Sequence, residues 1–358
     1  MEQRQYNNTT LVILSIVYFI SNQLIEITII HLFDFQHTNA CIWDCGWYSS
    51  IVQNGYDPEP HAHPQRDAAN WAFFPFVPLF AKGISLALQA SPQTSLIITS
   101  KLFLLFSIFY FLKFGLAYYP KLSPHVLAAT VAFNPYAIYA NAGYTESVFL
   151  FFSSISLYTL SQRKWLTAGF LIGTLSSVRL VGIIAAFSYA IKLWIERSKK
   201  KIKINEHMAL GLLLTPIGLA LFMLWLYSTT GDTLAFSRIQ IAWGRTLSNP
   251  VNTIINGVLS SDSLIRYYAI TAIAALIATM FFLRKAPELT IFSLGCTLLP
   301  LAAGLQSMPR FIWWQAPFLL AISLIAARRW MFSIIFPFFI TAQTFMYHAW
   351  YTGKSFVT

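Results

Sequence analysis

The sequence predicts an all-α polytopic membrane protein, and three observations carry that expectation. Of 358 residues, 56% are apolar and only 10% are charged, whereas a soluble chain carries about 25% charged residues. The apolar residues gather in runs, several approaching the about 20 residues needed to cross a hydrocarbon core of roughly 30 Å. The net charge of +11 sits at the ends of those runs, as in RSKKKIK at 197–203, Arg284-Lys285 and Arg328-Arg329. Bases so placed read as cytoplasmic flanks, not as a nucleic-acid surface. Little is left over for a soluble domain, so residues 1–358 are expected to form a single integral membrane domain.

After a polar tail, the apolar run 11–31 is long for a signal segment and lacks a small-residue cleavage pattern, so it reads as an uncleaved first span. It contains Glu26, which is costly in lipid and is expected to face the bundle. A polar loop follows, and between Asp34 and Asp67 it holds five of the thirteen acids against one base, Arg66. Within it, residues 43–53 suit a short helix with Asp44, Trp47, Tyr48 and Ile51 on one side. Asn54-Gly55 would stop that helix, and its aromatic side suits a position along the bilayer surface. Asp44 would then stand at the water boundary among indole and phenol rings.

Cys41 and Cys45 lack the second ligand pair of a zinc site, and a disulfide between them stays open. Prolines 58, 60 and 64 keep the next stretch extended. Its His61 and His63, with Asp57, Glu59 and Asp67, have the chemistry of zinc or manganese ligands; a solvated loop is the simpler reading, and no metal or other cofactor is expected.

Residues 71–90 open with aromatics and two prolines, and either cross or dip in and return. Further apolar runs fall at 96–118, 126–139, 147–160, 165–177, 180–194, 207–229, 264–283, 288–306, 311–327 and 330–350. Altogether about 10–12 transmembrane or re-entrant helices are expected. Several are short, and short broken helices are tolerated where they line a cavity. Arg179 falls between two short runs, where a hairpin tip would give it polar surroundings. With the basic clusters inside, Asp44, Glu146, Arg179, the 231–262 loop and the Met308-Pro309-Arg310 corner all lie outside. That arrangement requires one early segment to be re-entrant, and the proline-rich run 71–90 is the one expected not to cross.

Four stretches carry a resemblance: WDCGWYSSIVQNGY followed by WAFFPFVPLF (43–56 and 71–80), NPYAIYANAGYTES (134–147), SSVRLVG (176–182) and GDTLAFSRIQIAWGR (231–245). Their order resembles the GPI mannosyltransferase 2-like family, the family of the enzyme that adds the second mannose, together with its bacterial relatives. The match runs from about residue 40 to 250, and the C-terminal third matches weakly. The resemblance implies the GT-C architecture of multispan glycosyltransferases. It implies a sugar, mannose by default, moved from a polyprenyl-phosphate donor to a glycan, glycolipid or protein acceptor hydroxyl, with inversion. It further implies an active site on the periplasmic or lumenal face, for a bacterial member in the inner membrane. Residues 34–70 become the outer catalytic loop with its interfacial helix, 71–250 the remainder of the motif-bearing core, and 251–358 C-terminal transmembrane helices.

Such chemistry needs a base to take the acceptor proton, and Asp44 is the candidate. The departing phosphate needs cations, best supplied by the planar fork of arginine; Arg179, Arg245, Arg310 and Arg238 are the outward-facing candidates. Glu146, Tyr144, Trp43, Trp47, Tyr48 and Asp232 are candidates for the acceptor or sugar, against roles as helix-end, turn or membrane-belt residues. A transporter or flippase of lipid-linked or small polar substrates, or a non-catalytic scaffold of the same fold, are the alternatives. A transporter should show two corresponding halves, and the sequence shows none.

Overall fold

Apolar runs become helices over most of their length here, because in lipid every backbone group needs an internal partner. The computed structural model describes residues 6–62, 66–199 and 204–354. His63, one of the loop residues with ligand chemistry, and residues 200–203 of the basic cluster lie outside the described residues. Among the described residues the chain is helical, with one isolated backbone bridge between His61 and Ala68 in place of any strand.

In order, the helices are α1 (Asn8–Leu32), α2 (Asp44–Asn54), α3 (Phe76–Leu88), α4 (Pro92–Tyr118), α5 (Pro124–Ala132) and α6 (Glu146–Ser161). Then come α7 (Trp165–Ser176), α8 (Ile184–Ser198), α9 (Glu206–Leu214), α10 (Ile217–Thr230), α11 (Ala235–Arg238) and α12 (Pro250–Leu259). The last five are α13 (Ser263–Thr279), α14 (Pro287–Leu301), α15 (Met308–Ile312), α16 (Ala316–Ala326) and α17 (Arg329–Tyr351). Side-chain caps set several starts: Asn7 accepts from Thr10 N–H at 2.8 Å, and Ser91 from Thr94 N–H at 3.2 Å. Four described helices are long and apolar enough to cross a membrane: α1, α4, the continuous stretch Ser263–Phe282 and α17. The chain is an integral membrane protein.

Several expected spans are divided. The 207–229 run bends by 41° between α9 and α10, because Pro216 has no N–H to continue the ladder. The 126–139 run stops at Ala132 and resumes only as a 3-10 turn, Ala137–Ala140. Asn134-Pro135 makes the break: the Asn134 side chain accepts from Tyr136 N–H at 2.8 Å and donates to the Trp313 carbonyl at 2.7 Å. The 180–194 run begins as a 3-10 turn, Leu180–Ile183, before α8. Two helices, α11 and α12, occupy the stretch 231–262, which the sequence reads as a loop. The proline-rich run gives only the 13 residues of α3, about 20 Å at 1.5 Å per residue, short of the roughly 30 Å core.

Packing centres on α4, which touches α1, α2, α3, α5 and α6. Helices α7 and α9 approach closely at Gly169, where any side chain would strike the Gly211 backbone. Glu26 faces the bundle, as expected: it is 1% exposed, bonded by Lys101 Nζ at 2.7 Å and by the Tyr351 hydroxyl at 3.3 Å. After α2 the loop folds on itself. Asp57 and Asn70 exchange side-chain-to-backbone bonds of 3.0 and 2.8 Å, and Trp71 Nε1 donates to the Asp57 carbonyl at 2.6 Å. Asp57 is thus committed to the loop, with His61 Nε2 3.6 Å from its other oxygen.

Candidate active site

Asp44 is the first residue of α2, where a carboxylate complements the helix dipole. The local chain is tightly held. Cys41 and Cys45 are joined by a disulfide around it, and Trp43 turns the chain at φ 51°, a conformation side chains rarely adopt. The Tyr144 hydroxyl accepts from Asp44 N–H at 3.1 Å and donates to the Ile42 carbonyl at 2.9 Å. Trp350 Nε1 donates to the Ala40 carbonyl at 2.9 Å. Helix α2 does not simply lie on a lipid surface: Cys45, Tyr48, Ile51 and Val52 are buried, and it packs against α3 and α4.

Three arginines converge on this point from distant stretches. Arg310, buried in α15, places Nη1 2.8 Å from Asp44 Oδ2 and Nε 3.1 Å from Glu146 Oε1. Arg179, between α7 and α8, places Nη1 3.2 Å from the same Glu146 oxygen. Glu146, fully buried at the start of α6, thus draws two cations to one oxygen. The contacts are ion pairs without hydrogen-bond alignment. The Phe311 ring lies under both guanidiniums, 4.6 Å from Arg179 and 4.9 Å from Arg310. Arg245 follows the left-handed Gly244 and donates to Gln240 Oε1 at 3.2 Å. No described carboxylate lies within ion-pair distance of it.

Asp44, Arg179, Arg245 and Arg310 all line one cavity of about 250 Å³, with Tyr48 beside them. Aromatic and aliphatic side chains, among them Phe74, Phe236 and Trp243, form much of the remaining wall. Three arginines against the carboxylates of Asp44 and Glu146 leave one positive charge over. Burial alone would weaken the Arg310 cation; Asp44 and Glu146 reverse this and hold its pKa above the usual arginine value. Burial lowers Arg245 below that value, with Asp44 opposing and the neighbouring arginines adding to the fall.

The other sequence candidates stand elsewhere. Glu146 lies behind the arginines and off the cavity wall, where its contacts are with Arg179 and Arg310. Tyr144 is buried and braces the Asp44 turn. Trp43 packs edge-on to Trp350, with centroids 4.7 Å apart, and Trp47 stacks on Phe73 at 5.8 Å. Asp232 caps Leu234 N–H at 2.9 Å and pairs with Arg238 at 3.1 Å. The Arg238 side chain is 73% exposed and is absent from the cavity wall, so the structure does not bring it together with Arg179, Arg245 and Arg310. Sequence reasoning missed Gln240, Ser237, Phe311 and Gln315 on the wall. The first two lie inside the 231–245 motif stretch, which was the available signal; Phe311 and Gln315 flank Arg310 without one.

No family model and no curated protein matches the chain. Among solved structures it is similar to the Archaeoglobus fulgidus oligosaccharyltransferase in its apo form, with a TM-score of 0.51 at 11% identity, over 94% of this chain and 55% of that one. The same enzyme tethered to an acceptor peptide containing the NVT sequon gives a TM-score of 0.50 at 12% identity, with the same coverages. The chain spans about half the length of those structures. Identities this low speak for the fold alone, and together with the helical, multispan architecture they identify it: this chain has the GT-C-type fold.

Proposed function

We propose that the protein is a membrane glycosyltransferase of the GPI mannosyltransferase 2-like family, moving a sugar, mannose by that resemblance, from a polyprenyl phosphate to an acceptor hydroxyl. The observation that carries this reading is the convergence of Asp44, Arg179, Arg245 and Arg310 on one cavity within a GT-C fold. Asp44 takes the acceptor's proton as its oxygen bonds the sugar's anomeric carbon. The bond from that carbon to the phosphate oxygen breaks, and its electron pair leaves with the prenyl phosphate. The guanidiniums stabilise the charge that develops there, while the apolar wall suits the first isoprene units. A single displacement of this kind inverts the anomeric centre. The Cys41–Cys45 disulfide supports placing Asp44 on the oxidising side, the periplasm of a bacterial inner membrane. Residues 34–70 then form the catalytic loop of a single membrane domain.

The test uses purified protein in lipid with polyprenyl-phosphate mannose labelled in the sugar. Wild type should transfer label to an acceptor or release it to water. Asp44→Asn, which keeps the shape but accepts no proton, should bind the donor and lose turnover by about 10² to 10⁴. Survival of activity in Asp44→Asn would remove it as the base. A wild type that neither binds nor consumes any prenyl-phosphate sugar would overturn the reading as a whole.

A further inference from the structure

The two carboxylates beside Arg310 differ in burial, and their difference suggests different duties. Glu146 is fully enclosed, and its Oε1 holds Arg179 and Arg310 together at 3.2 and 3.1 Å. Its Oε2 is equally buried and makes no hydrogen bond. A carboxylate so placed cannot turn to water, so its position is fixed by the two cations it joins. The Asp44 side chain is 29% exposed, lines the cavity, and meets Arg310 through Nη1 alone. That contact occupies one oxygen of the candidate base and a cation facing the cavity, and a neighbouring positive charge weakens a carboxylate as a proton acceptor.

We infer that Glu146 is a positioning residue that keeps Arg179 and Arg310 side by side as an anion clamp, while Asp44 is the clamp's exchangeable partner. An arriving phosphate displaces Asp44 from Arg310. The base is therefore released only once the donor is seated, which enforces donor-first order and keeps an unoccupied site from deprotonating an acceptor. This rests on the reading above that the cavity takes a prenyl phosphate. It adds that the clamp's geometry depends on a carboxylate that touches no substrate, and that the base is masked in the free protein.

The test needs no turnover: decyl phosphate is titrated into the protein in lipid nanodiscs while binding and thermal unfolding are followed. Asp44→Asn removes the competitor for Arg310, so it should bind decyl phosphate about tenfold more tightly than wild type. Glu146→Gln leaves two guanidiniums without their shared counter-ion. It should unfold at lower temperature when free, and decyl phosphate should raise that temperature a few °C more than it raises the wild type's. Glu146→Asp, which keeps the charge, should restore part of the wild-type response. Should Glu146→Gln prove too unstable to purify, the double variant Glu146→Gln/Arg179→Gln removes both charges; it should fold without the anion and bind decyl phosphate at least tenfold more weakly than wild type. Equal affinities in wild type and Asp44→Asn, or a Glu146→Gln deficit indifferent to the anion, would overturn the inference while leaving the phosphate site standing. Failure of wild type itself to bind decyl phosphate would overturn both.

Discussion

Arg245 and Arg238 share one motif stretch, yet their surroundings assign them opposite importance. Arg245 lines the cavity, is partly buried, and among the described residues has the neutral Gln240 amide oxygen as its side-chain hydrogen-bond partner, so its charge is available to an incoming anion. Arg238 points to solvent and is already paired with Asp232. A charge-assisted hydrogen bond contributes about 1.5–3 kcal/mol, so Arg245→Ala should weaken binding of a prenyl phosphate about 10- to 100-fold. Arg238→Ala should leave that affinity within about twofold, since exposed ion pairs contribute little. Titration of both variants in one lipid preparation checks the pair. Comparable losses at the two positions would place the anion outside the cavity.

The element that positions Asp44, the proposed base, is the turn into α2, and it is held from behind by the segment between α5 and α6. Gly143 has φ 81°, and a Cβ there would come within 2.6 Å of Cys45 Sγ; only glycine suits both the backbone and the space. Next to it, Tyr144 bonds both sides of the turn. The disulfide closes a five-residue loop, for which chain entropy gives about 2 kcal/mol of stabilisation. Reduction, or Cys41→Ser with Cys45→Ser, should therefore lower the unfolding temperature modestly and reduce turnover more than donor affinity, because the arginines stay where Glu146 holds them. Gly143→Ala should destabilise by more than about 1 kcal/mol and mimic the turnover defect. Steady-state kinetics of the reduced and oxidised protein would show whether the donor KM stays put while kcat falls.

At the scale of the whole molecule, what was readable in sequence was local. Asp44 at a helix start and Arg179 between two short helices follow from residues within a turn or two of each. The pairing of Asp44 with Arg310 does not, because the two lie 266 positions apart and no periodicity connects them. Apolar side chains face both lipid and core, so the pattern that orients a helix in a soluble protein is flattened here. That is why apolar helices are legible in the sequence while their pairings and breaks, such as the bend at Pro216 within an apolar run, are not. Buried polar residues are the exception, since each needs a partner inside the bundle, and Glu26, paired with Lys101, is legible in that way.

Its ion pair joins the first span, α1, to α4, with Tyr351 bringing in the end of α17. The two charges are unequally enclosed: Glu26 is 1% exposed and the Lys101 side chain 22%. Lys101→Met should strand a carboxylate that has no other cation within ion-pair distance among the described residues, at a cost of about 3–5 kcal/mol. Glu26→Gln leaves an ammonium whose stem can lift it toward polar surroundings, and should cost less. The double variant should recover much of the Lys101→Met loss, since a pair replaced by neutral groups leaves no buried charge behind. Thermal unfolding of the three variants in the same lipid decides it: two equal single losses that simply add would mean the pair contributes nothing as a pair, and the three helices are held together by packing alone.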